Sequence, residues 1–181
     1  MAISSLRLAT SDDADRLGAI HVACWREAYD GILPREMLSK LTVEGRAAMW
    51  SKILADSDAA AGSAVWIAEN DGRMVGFGSC GRQRDQMLME RGFDAEISAI
   101  YILRSYQGAG VGRAIMGAMA SLLRERGNRA VSLWVLRKNV PARGFYEHLG
   151  GAVVAEQEDA RPEATLAEVA YGWHDLRSLI G

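Results

Sequence analysis

The sequence predicts an α/β domain in which a mixed β-sheet of about seven strands carries helices on both faces. Three observations support this prediction. The chain has 181 residues, 49% of them hydrophobic, which suits one globular domain with a buried core. Segments of period two alternate with segments of helical period in the order β, α, α, β, β, β, α, β, α, β, β. No internal repeat or low-complexity block interrupts that order, so we predict a single domain over residues 1–181.

The N-terminal part of the chain predicts one strand followed by helices. Alternation over residues 6–8 indicates a short strand, and the polar residues 10–13 supply acceptors for a helix start. A helix then runs to about Tyr29. Its apolar residues recur every three or four positions: Leu17, Ile20, Cys24 and Ala28. Apolar residues within 37–55 predict one or two further helices, and the small polar residues 56–63 predict a loop.

From residue 64 onward the period of the apolar pattern changes to two. Strands over 64–69 and 74–80 flank Asn70-Asp71-Gly72, a hairpin signal because Asn and Gly accept a positive φ. Residues 82–94 are polar and irregular, and we expect a long loop there. The remaining elements are a strand over 96–102, a helix over 111–126, a strand over 130–135, a helix over 141–149, and strands over 152–156 and 166–173.

Charge and cysteine content exclude several classes of protein. The 21 Lys and Arg residues are balanced by 23 Asp and Glu residues, whereas nucleic-acid binders are usually strongly basic, so we expect no nucleic-acid partner. Cys24 and Cys80 lie far apart without a metal-ligand spacing, so we expect neither a disulfide scaffold nor a metal site. No apolar run approaches the ~20 residues that span a bilayer, and the N-terminus lacks a signal-peptide pattern. We therefore expect a cytoplasmic protein without a membrane partner.

A glycine-rich loop, Gln107-Gly108-Ala109-Gly110-Val111-Gly112-Arg113, joins the strand over 96–102 to the next helix. Glycine lets the backbone approach a ligand closely, and N–H groups at a helix N-terminus bind phosphate. A Walker A loop needs Lys and then Ser or Thr after its last glycine, and the dinucleotide fingerprint needs Gly or Ala where Arg113 stands. Neither loop fits. Three alternating glycines at a strand-to-helix junction nevertheless favour a phosphate site over a merely flexible connection.

The pattern that does fit the loop is Gln/Arg-x-x-Gly-x-Gly/Ala, met by Gln107, Gly110 and Gly112. It resembles the pyrophosphate loop of the GNAT superfamily of acetyl-coenzyme A-dependent N-acetyltransferases, and the preceding strand resembles that family's fourth strand. Downstream, the chain resembles the family's second motif, Asn-x-x-Ala-x-x-Phe-Tyr-Glu-x-x-Gly. The matching residues are Asn139, Ala142, Phe145, Tyr146, Glu147 and Gly150. The resemblance is close over 96–151, except that many relatives have Phe at Gly151 and Pro at Arg104.

The resemblance implies a GNAT-like fold and a set of roles along the strand over 96–102. A Glu at the matching position of the family is the general base, directly or through water, which implies that role for Glu96. Period-two alternation predicts that Glu96, Ser98, Ile100 and Ile102 share one face. A solvated carboxylate at a strand end is the alternative. The resemblance further implies that the N–H of Ile100 supports the thioester oxyanion, while Tyr101 and Ile102 bind pantetheine as an added strand would.

The second motif implies two further site residues. Tyr146 corresponds to the family's proton donor for the coenzyme thiolate, and the alternative is a core tyrosine paired with Phe145. Asn139 corresponds to a cofactor-binding position. It is also an ordinary N-cap for the helix that follows, and one residue can serve both purposes.

The acceptor side of the site gives weaker signals. The segment over 23–34 resembles a bacterial GNAT branch with Trp-x-x-x-Tyr-x-Gly near the first helix. Trp25 and Tyr29 lie one helical turn apart and are candidates for lining an acceptor cleft, with core packing as the alternative. The histidines have no catalytic companions in the sequence, so we expect them to be structural or exposed. They are His21, His148 and His174.

Three arginines lie in the predicted long loop, namely Arg82, Arg84 and Arg91. They are candidates for contacts with an anionic substrate or with the phosphates of the coenzyme. A solvated loop face is the alternative.

Together these assignments imply an enzyme that moves the acetyl group of acetyl-coenzyme A to a primary amine by direct transfer in a ternary complex. Acetyl-coenzyme A is the co-substrate, and no metal is expected. The acceptor is a small-molecule amine or a protein amine. A non-catalytic acetyl-coenzyme A sensor is the alternative. Members of the family are often dimers, so a homodimer stays open, although no segment of this chain specifies an interface.

Overall fold

The computed structural model describes residues 3–55 and 62–180, and its centre is one seven-stranded sheet in the spatial order β1-β2-β3-β4-β5-β7-β6. The strands are β1 (Ser5–Leu8), β2 (Ala64–Asn70), β3 (Arg73–Arg82), β4 (Ala95–Ile102), β5 (Val131–Leu136), β6 (Ala152–Ala160) and β7 (Thr165–Trp173). The helices are α1 (Ala14–Tyr29), α2 (Arg35–Ser39), α3 (Val43–Ala55), α4 (Gln86–Glu90), α5 (Val111–Glu125) and α6 (Val140–His148). Within these ranges no helix combines the length and the apolar character needed to cross a membrane.

Helices cover both faces of the sheet, which confirms the predicted α/β class. On one face α5 buries Ile115, Met116 and Met119 completely. On the other face α1 and α3 pack against β2 and β3, and Leu17 and Trp50 are 0% and 2% exposed. The apolar residues that recur with helical period in α1 and α5 therefore form the two helix faces that pack against opposite faces of the sheet.

Five of the six neighbouring strand pairs are antiparallel, and β4 with β5 is the parallel one. The register of this parallel pair comprises only Ala95 with Val131 and Glu96 with Ser132. Beyond Glu96 the two strands separate. The inner edge of β4 from Ile97 onward therefore has no ladder partner in β5, and a cleft opens between the two strands.

A β-bulge lies in β4 just past the point of separation. Cys80 of β3 pairs with Ile97, and Ser79 pairs with Ala99, so Ser98 is the additional residue on β4. A bulge of this kind bends the strand and shifts the alternation of its side chains by one position.

The bulge overturns the predicted face of Glu96. Ala95 and Ile97 contact the core beneath α5 before the bulge, whereas Ile100 and Ile102 contact it after the bulge. Even-numbered residues face α5 only beyond the bulge, so Glu96 lies on the opposite face from Ile100 and Ile102. The prediction that Glu96, the bulged serine and these isoleucines share one face is therefore wrong.

The segment over 82–94 is not the irregular loop that its composition predicts, because it contains α4. Asp85 caps this helix, its Oδ1 accepting from the backbone N of Met87 at 2.9 Å and of Leu88 at 3.3 Å. Leu88 and Phe93 are each 1% exposed and anchor the segment to a small apolar cluster on β5, β6 and β7. Two apolar anchors among polar residues are a signal that composition alone does not reveal.

Of two other predicted segments, one is longer than expected and the other lies mostly outside the described residues. β6 continues to Ala160 rather than ending at residue 156, because its pairing with β7 extends to Ala160 with Thr165. The predicted loop over 56–63 lies, apart from its last two residues, outside the described residues.

An ion-pair network joins the first strand to the first helix. Asp13 is 4% exposed, and both of its carboxylate oxygens accept from Arg7 at 2.8 Å. The backbone N of Thr10 also donates to Asp13 at 2.9 Å. Glu69 on β2 accepts from Arg16 at 2.8 Å, which extends the network to the neighbouring strand. The hydrogen bonds from Arg7 hold the pKa of Asp13 well below its usual value.

The substitution Asp13→Asn is expected to lower the free energy of unfolding at pH 7 by about 1–3 kcal/mol, because Arg7 loses the closer of its two carboxylate partners and keeps only Glu69. A lowered folded-state pKa means that the contribution of Asp13 is complete above the usual carboxyl pKa of ~3.9 and is lost as the pH falls below it. Urea unfolding at pH 7 and pH 3 measures both effects. The exposed neighbour gives a matched control, Asp12→Asn, and equal stability of the two variants at pH 7 would contradict the assignment.

Candidate functional site

The separation of β4 from β5 opens a cleft of about 770 Å³. One wall is β4 from Ile97 to Ile102, and the other is formed by β5 and α6. Eleven of the fifteen predicted site residues line this cleft: Tyr29, Ile100, Tyr101, Ile102, Gln107, Gly108, Gly110, Gly112, Arg113, Asn139 and Tyr146. The parting of two strands thus brings together residues that are distributed over most of the chain.

The remaining predicted site residues lie elsewhere. Val111 is 1% exposed and belongs to the core beneath the glycine loop, and Ala109 is exposed on that loop. Trp25 is half-buried behind Tyr29. Glu96 lines a smaller cavity beside the cleft.

The inner edge of β4 turns backbone groups toward the cleft. The N–H of Leu103 donates to the carbonyl of Val75 on β3 at 3.0 Å. Because the backbone groups of successive strand residues point to opposite edges, those of Ile100 and Ile102 point away from β3 and into the cleft. Gln107 supports this orientation, since its Nε2 donates to the carbonyl of Ile102 at 3.1 Å. By the same alternation Tyr101 turns its backbone toward β3, where it pairs with Phe77. The expectation that Tyr101 binds pantetheine as an added strand would is therefore wrong, and Tyr101 reaches the cleft through its side chain.

The glycine loop ends at the N-terminus of α5 in a conformation that favours glycine. Gly108 has a φ of 73° and Gly110, the N-cap of α5, a φ of 81°. The N–H groups in the first turn of a helix have no carbonyl one turn earlier to accept from them, and the helix dipole adds partial positive charge. These donors border the cleft, so the loop can hold an anionic group there.

Gly112 allows α5 to lie close to its neighbours. A Cβ at this position would be 2.8 Å from Cζ of Phe145 and 3.1 Å from Cδ1 of Ile102. Any larger residue would push α5 away from α6 and β4. The third glycine of the loop therefore sets the width of the cleft at the end where the glycine loop lies.

Helix α6 forms the opposite wall and places Tyr146 in it. Asn139 caps the helix, its Oδ1 accepting from the backbone N of Ala142 at 3.3 Å, and it also lines the cleft. Tyr146 is 6% exposed and packs against Tyr171 and Trp173, with ring centroids 5.7 Å and 6.2 Å away. Burial raises the pKa of Tyr146 well above its usual value, so its hydroxyl stays protonated at neutral pH.

The space beside Gly151 explains the departure noted in the sequence. A Cβ on Gly151 would lie 2.6 Å from Cζ2 of Trp173 and 2.9 Å from the carbonyl oxygen of Tyr146. The Trp173 indole fills this space, and its Nε1 donates to the carbonyl of Leu149 at 2.9 Å. Tryptophan on β7 thus takes the volume that a Phe at position 151 would need.

An aromatic cluster covers the α1 side of the cleft. The hydroxyl groups of Tyr29 and Tyr101 are 3.3 Å apart, and burial raises the pKa of both. Trp25 meets Tyr29 edge-on with ring centroids 5.0 Å apart, and the Arg46 guanidinium lies 5.0 Å above the Trp25 ring. Tyr29 therefore contacts the cleft directly, whereas Trp25 supports it from behind.

His21 lies at the centre of this cluster. It is 5% exposed, stacks on Tyr101 at 5.2 Å, and accepts from Trp50 Nε1 through Nδ1 at 3.1 Å. Burial lowers the pKa of His21 to about 3, so the imidazole is neutral. Its Nε2 has no hydrogen-bond partner within residues 3–55 and 62–180.

Glu96 is held at the apex where β4 and β5 part. Its side chain is 15% exposed, and its two oxygens accept from Arg84, one from Nε at 2.5 Å and one from the backbone N at 3.2 Å. The sequence offered no means of predicting this pair, because the turn that brings Arg84 back to β4 depends on buried contacts of its neighbours. In the described part of the chain, no cluster of three His, Cys, Asp or Glu side chains could hold a metal ion.

A family model and the relatives of similar sequence all match this chain to acetyltransferases. The family model described as "Acetyltransferase (GNAT) family" matches residues 22–151. An uncharacterized N-acetyltransferase of Bacillus subtilis strain 168, YuaI, is 31% identical over 177 residues, which covers 97% of this chain and 95% of the relative. An uncharacterized N-acetyltransferase of Archaeoglobus fulgidus is 30% identical over 159 residues, covering 88% of this chain and 95% of that protein.

Solved structures share the fold at lower identity. The PaiA N-acetyltransferase from Thermoplasma acidophilum in complex with coenzyme A superposes with a TM-score of 0.73 at 19% identity, over 93% of this chain and 98% of that one. YncA from Salmonella typhimurium, a putative acetyltransferase solved with its cofactor acetyl-CoA, has a TM-score of 0.67 at 16% identity, over 94% and 92% of the two chains.

The buried histidine predicts a pH-dependent stability. An unfolded histidine titrates near pH ~6.5. The folded pKa of His21 is about 3, so the unfolded state binds one more proton between these values. The stabilisation is therefore complete above pH ~6.5 and falls below it, with a loss of about 2 kcal/mol at pH 5.

Urea unfolding at pH 7 and pH 5 tests this assignment. The variant His21→Gln does not titrate but retains an acceptor for Trp50 Nε1, so it should lack this part of the pH dependence. The exposed His148 supplies the control, because His148→Gln should keep the wild-type dependence. Identical pH dependence in the wild type and His21→Gln would rule out a neutral buried imidazole.

Proposed function

The chain belongs to the GNAT family of acetyltransferases, and on that premise we propose that it transfers the acetyl group of acetyl-coenzyme A directly to a primary amine within a ternary complex. The observation that carries the proposal is the cleft itself. At one end lie the N–H donors of α5, along one side the open edge of β4, and opposite that edge the buried hydroxyl of Tyr146. A phosphate-bearing, strand-like thioester would contact all three.

Different residues of the cleft would bind different parts of acetyl-coenzyme A. The N–H groups over 108–113 would bind the pyrophosphate, and the side chain of Asn139 borders the same cleft. The backbone groups of Ile100 and Ile102 would pair with the amides of pantetheine, as in strand addition, while the ring of Tyr101 forms part of the wall. The bound co-substrate supplies an activated thioester carbonyl.

Three groups of this chain take part in the acetyl transfer itself. An alkylammonium has a pKa of ~10.4, so its proton has to be removed before the nitrogen can attack the carbonyl, and Glu96 accepts that proton directly or through water. The N–H of Ile100 donates to the oxyanion of the tetrahedral intermediate. As the C–S bond breaks, Tyr146 donates its proton to the sulfur, and the new C–N bond is retained in the amide product. The attacking nitrogen loses its second proton to solvent, and Tyr146 regains a proton from solvent.

The two cysteines support direct transfer over an acyl-cysteine route. Cys24 and Cys80 are 2% and 0% exposed, and burial raises the pKa of each to about 12. A thiol with so high a pKa forms little thiolate at neutral pH, and the thiolate is the nucleophile.

The broader expectations belong to the same proposal. They are a single domain over 1–181 in the cytoplasm, a small-molecule or protein amine as acceptor, and no nucleic-acid or membrane partner. A homodimer is compatible with them.

Release of coenzyme A thiol with a broad panel of amines tests the proposed function. We expect release that depends on both acetyl-coenzyme A and one class of amine. A sensor would bind acetyl-coenzyme A in calorimetry and release no thiol with any amine, so that result would reject the enzyme.

Gly110→Pro is expected to weaken the affinity for acetyl-coenzyme A by at least tenfold. Proline requires a φ near ~−65° and removes an N–H, whereas Gly110 has a φ of 81° at the start of α5. The matched control is Gly127→Pro at the other end of α5, where φ is 88°. Calorimetry should show near wild-type affinity in that control. Wild-type affinity in a folded Gly110→Pro variant would contradict the phosphate site.

Tyr146→Phe removes only the hydroxyl and is expected to reduce turnover tenfold or more with little change in acetyl-coenzyme A affinity. The deficit should shrink with acetyl donors whose leaving thiol is more acidic, because such a thiolate needs less protonation to depart. Tyr106→Phe is the control, since Tyr106 is a buried tyrosine whose hydroxyl faces Asn70 instead. A deficit that is equal for good and poor leaving groups would assign Tyr146 a positioning role.

A further inference from the structure

A second cavity of about 160 Å³ adjoins the cleft at the point where β4 and β5 part. Both cavities are lined by the same four residues: Ile97, Ser98, Leu133 and Trp134. The cleft and the small cavity therefore meet at the bulge of β4. A group bound in the small cavity would lie beside Glu96, which forms part of its wall.

Arg84 and Glu96 line this cavity together as an ion pair. The Nε of Arg84 lies 2.5 Å from Oε1 of Glu96, which fixes one edge of the guanidinium. The two terminal nitrogens, Nη1 and Nη2, have no hydrogen-bond partner among the described residues. That free edge of an arginine matches the two oxygens of a carboxylate.

Buried contacts of its neighbours fix the backbone that carries Arg84. Gln83 is 3% exposed, and its Nε2 donates to Ser132 Oγ at 2.7 Å. Its Oε1 accepts from the backbone N of Arg84 at 3.1 Å and of Asp85 at 3.0 Å. Asp85 in turn accepts from Trp134 Nε1 at 3.0 Å. The backbone of Arg84 is therefore held on an anchored turn, while its side chain is exposed to solvent.

From this geometry we propose that the acceptor carries a carboxylate one or two carbon atoms from its amine, as an α-amino acid does, and that Arg84 binds this carboxylate. The proposal rests on the acetyltransferase function. Glu96 attracts the ammonium group, and the Nη1–Nη2 edge of Arg84 attracts the carboxylate a few ångströms away. Arg84 is 78% exposed, so its pair with Glu96 is weak enough for ligand charges to compete with it. The small cavity suits this charged head group, with the amine on the side that meets the cleft, where the thioester would lie.

Matched sets of acceptors test the proposal in the wild-type protein. Each set contains an amino acid, its primary carboxamide and the corresponding decarboxylated amine, with one side chain throughout. Thiol release should give a kcat/KM at least tenfold higher for the acid than for the other two members of the preferred set. The carboxamide has the less basic amine, so an advantage of the acid would not come from easier deprotonation.

The variant Arg84→Gln removes the guanidinium edge. It should bring the acid-to-carboxamide ratio to about one, because activity on the acid falls much further than activity on the carboxamide, with unchanged affinity for acetyl-coenzyme A. The exposed neighbour provides the matched control, because Arg82→Gln should keep the wild-type ratio. A carboxamide as good as the acid in every wild-type set, or an acid preference that survives Arg84→Gln, would overturn the proposal.

Direct binding keeps this result separate from a failure of the acetyltransferase function. Calorimetric titration of the protein saturated with coenzyme A compares the affinities of acid and carboxamide without turnover. A tenfold preference for the acid that is lost in Arg84→Gln supports the carboxylate site even if no thiol is released. Equal affinities alongside normal thiol release would reject the carboxylate site and leave the acetyltransferase function standing.

Discussion

The pairing of β4 with β5 ends after two residues, and the geometry of the whole cleft depends on this early separation of the two strands. Backbone N–H and C=O groups seek partners, so a strand edge that leaves its ladder inside a sheet is a place for a ligand to bind. The cleft, the inward orientation of Ile100 and Ile102, and the second cavity beside Glu96 all begin at this point. The bulge at Ser98 reverses the face on which the following side chains lie. The carboxylate of Glu96 and the cleft-facing backbone groups of Ile100 and Ile102 therefore lie on either side of this bulge.

The two halves of the site are stabilised in different ways. The half that would hold the phosphates relies on close packing, in which Gly112 lets α5 lie against Phe145 and Ile102. Backbone donors recognise phosphate only if the backbone stays in place, and tight packing holds it there. The half that would hold the acceptor relies on side chains. Polar contacts from Gln83 fix one part of it, and aromatic rings around a neutral His21 fix another. A single substitution can change one side-chain contact and leave the others in place. The specificity for the acceptor can therefore change without disturbing the half that would hold the phosphates.

Periodicity and turn residues were sufficient to predict the fold class, because each local pattern agrees with its place in the sheet. The apolar stripe of α1 at Leu17 and Ile20 is buried as expected, and the glycine loop lies at the start of α5. The bulge at Ser98 could not be predicted, since it arises from register between two strands rather than from its own residue type. The Arg84–Glu96 pair and the anchored turn before it depend likewise on contacts with β5, which no spacing along the chain encodes.

The contact between Gly151 and Trp173 limits the order in which mutations can accumulate. A Cβ at position 151 would lie 2.6 Å from the Trp173 indole, so a bulky residue is accommodated there only when position 173 becomes smaller. A smaller residue at position 173 by itself would leave a void beside Tyr146, because the indole packs edge-on against that ring. Each single change is therefore unfavourable. The double change removes the clash with the indole, while the carbonyl of Tyr146, 2.9 Å from that Cβ, still has to shift. Lineages that carry Phe at the equivalent of position 151 should carry a smaller side chain at the equivalent of 173, as a coupled pair.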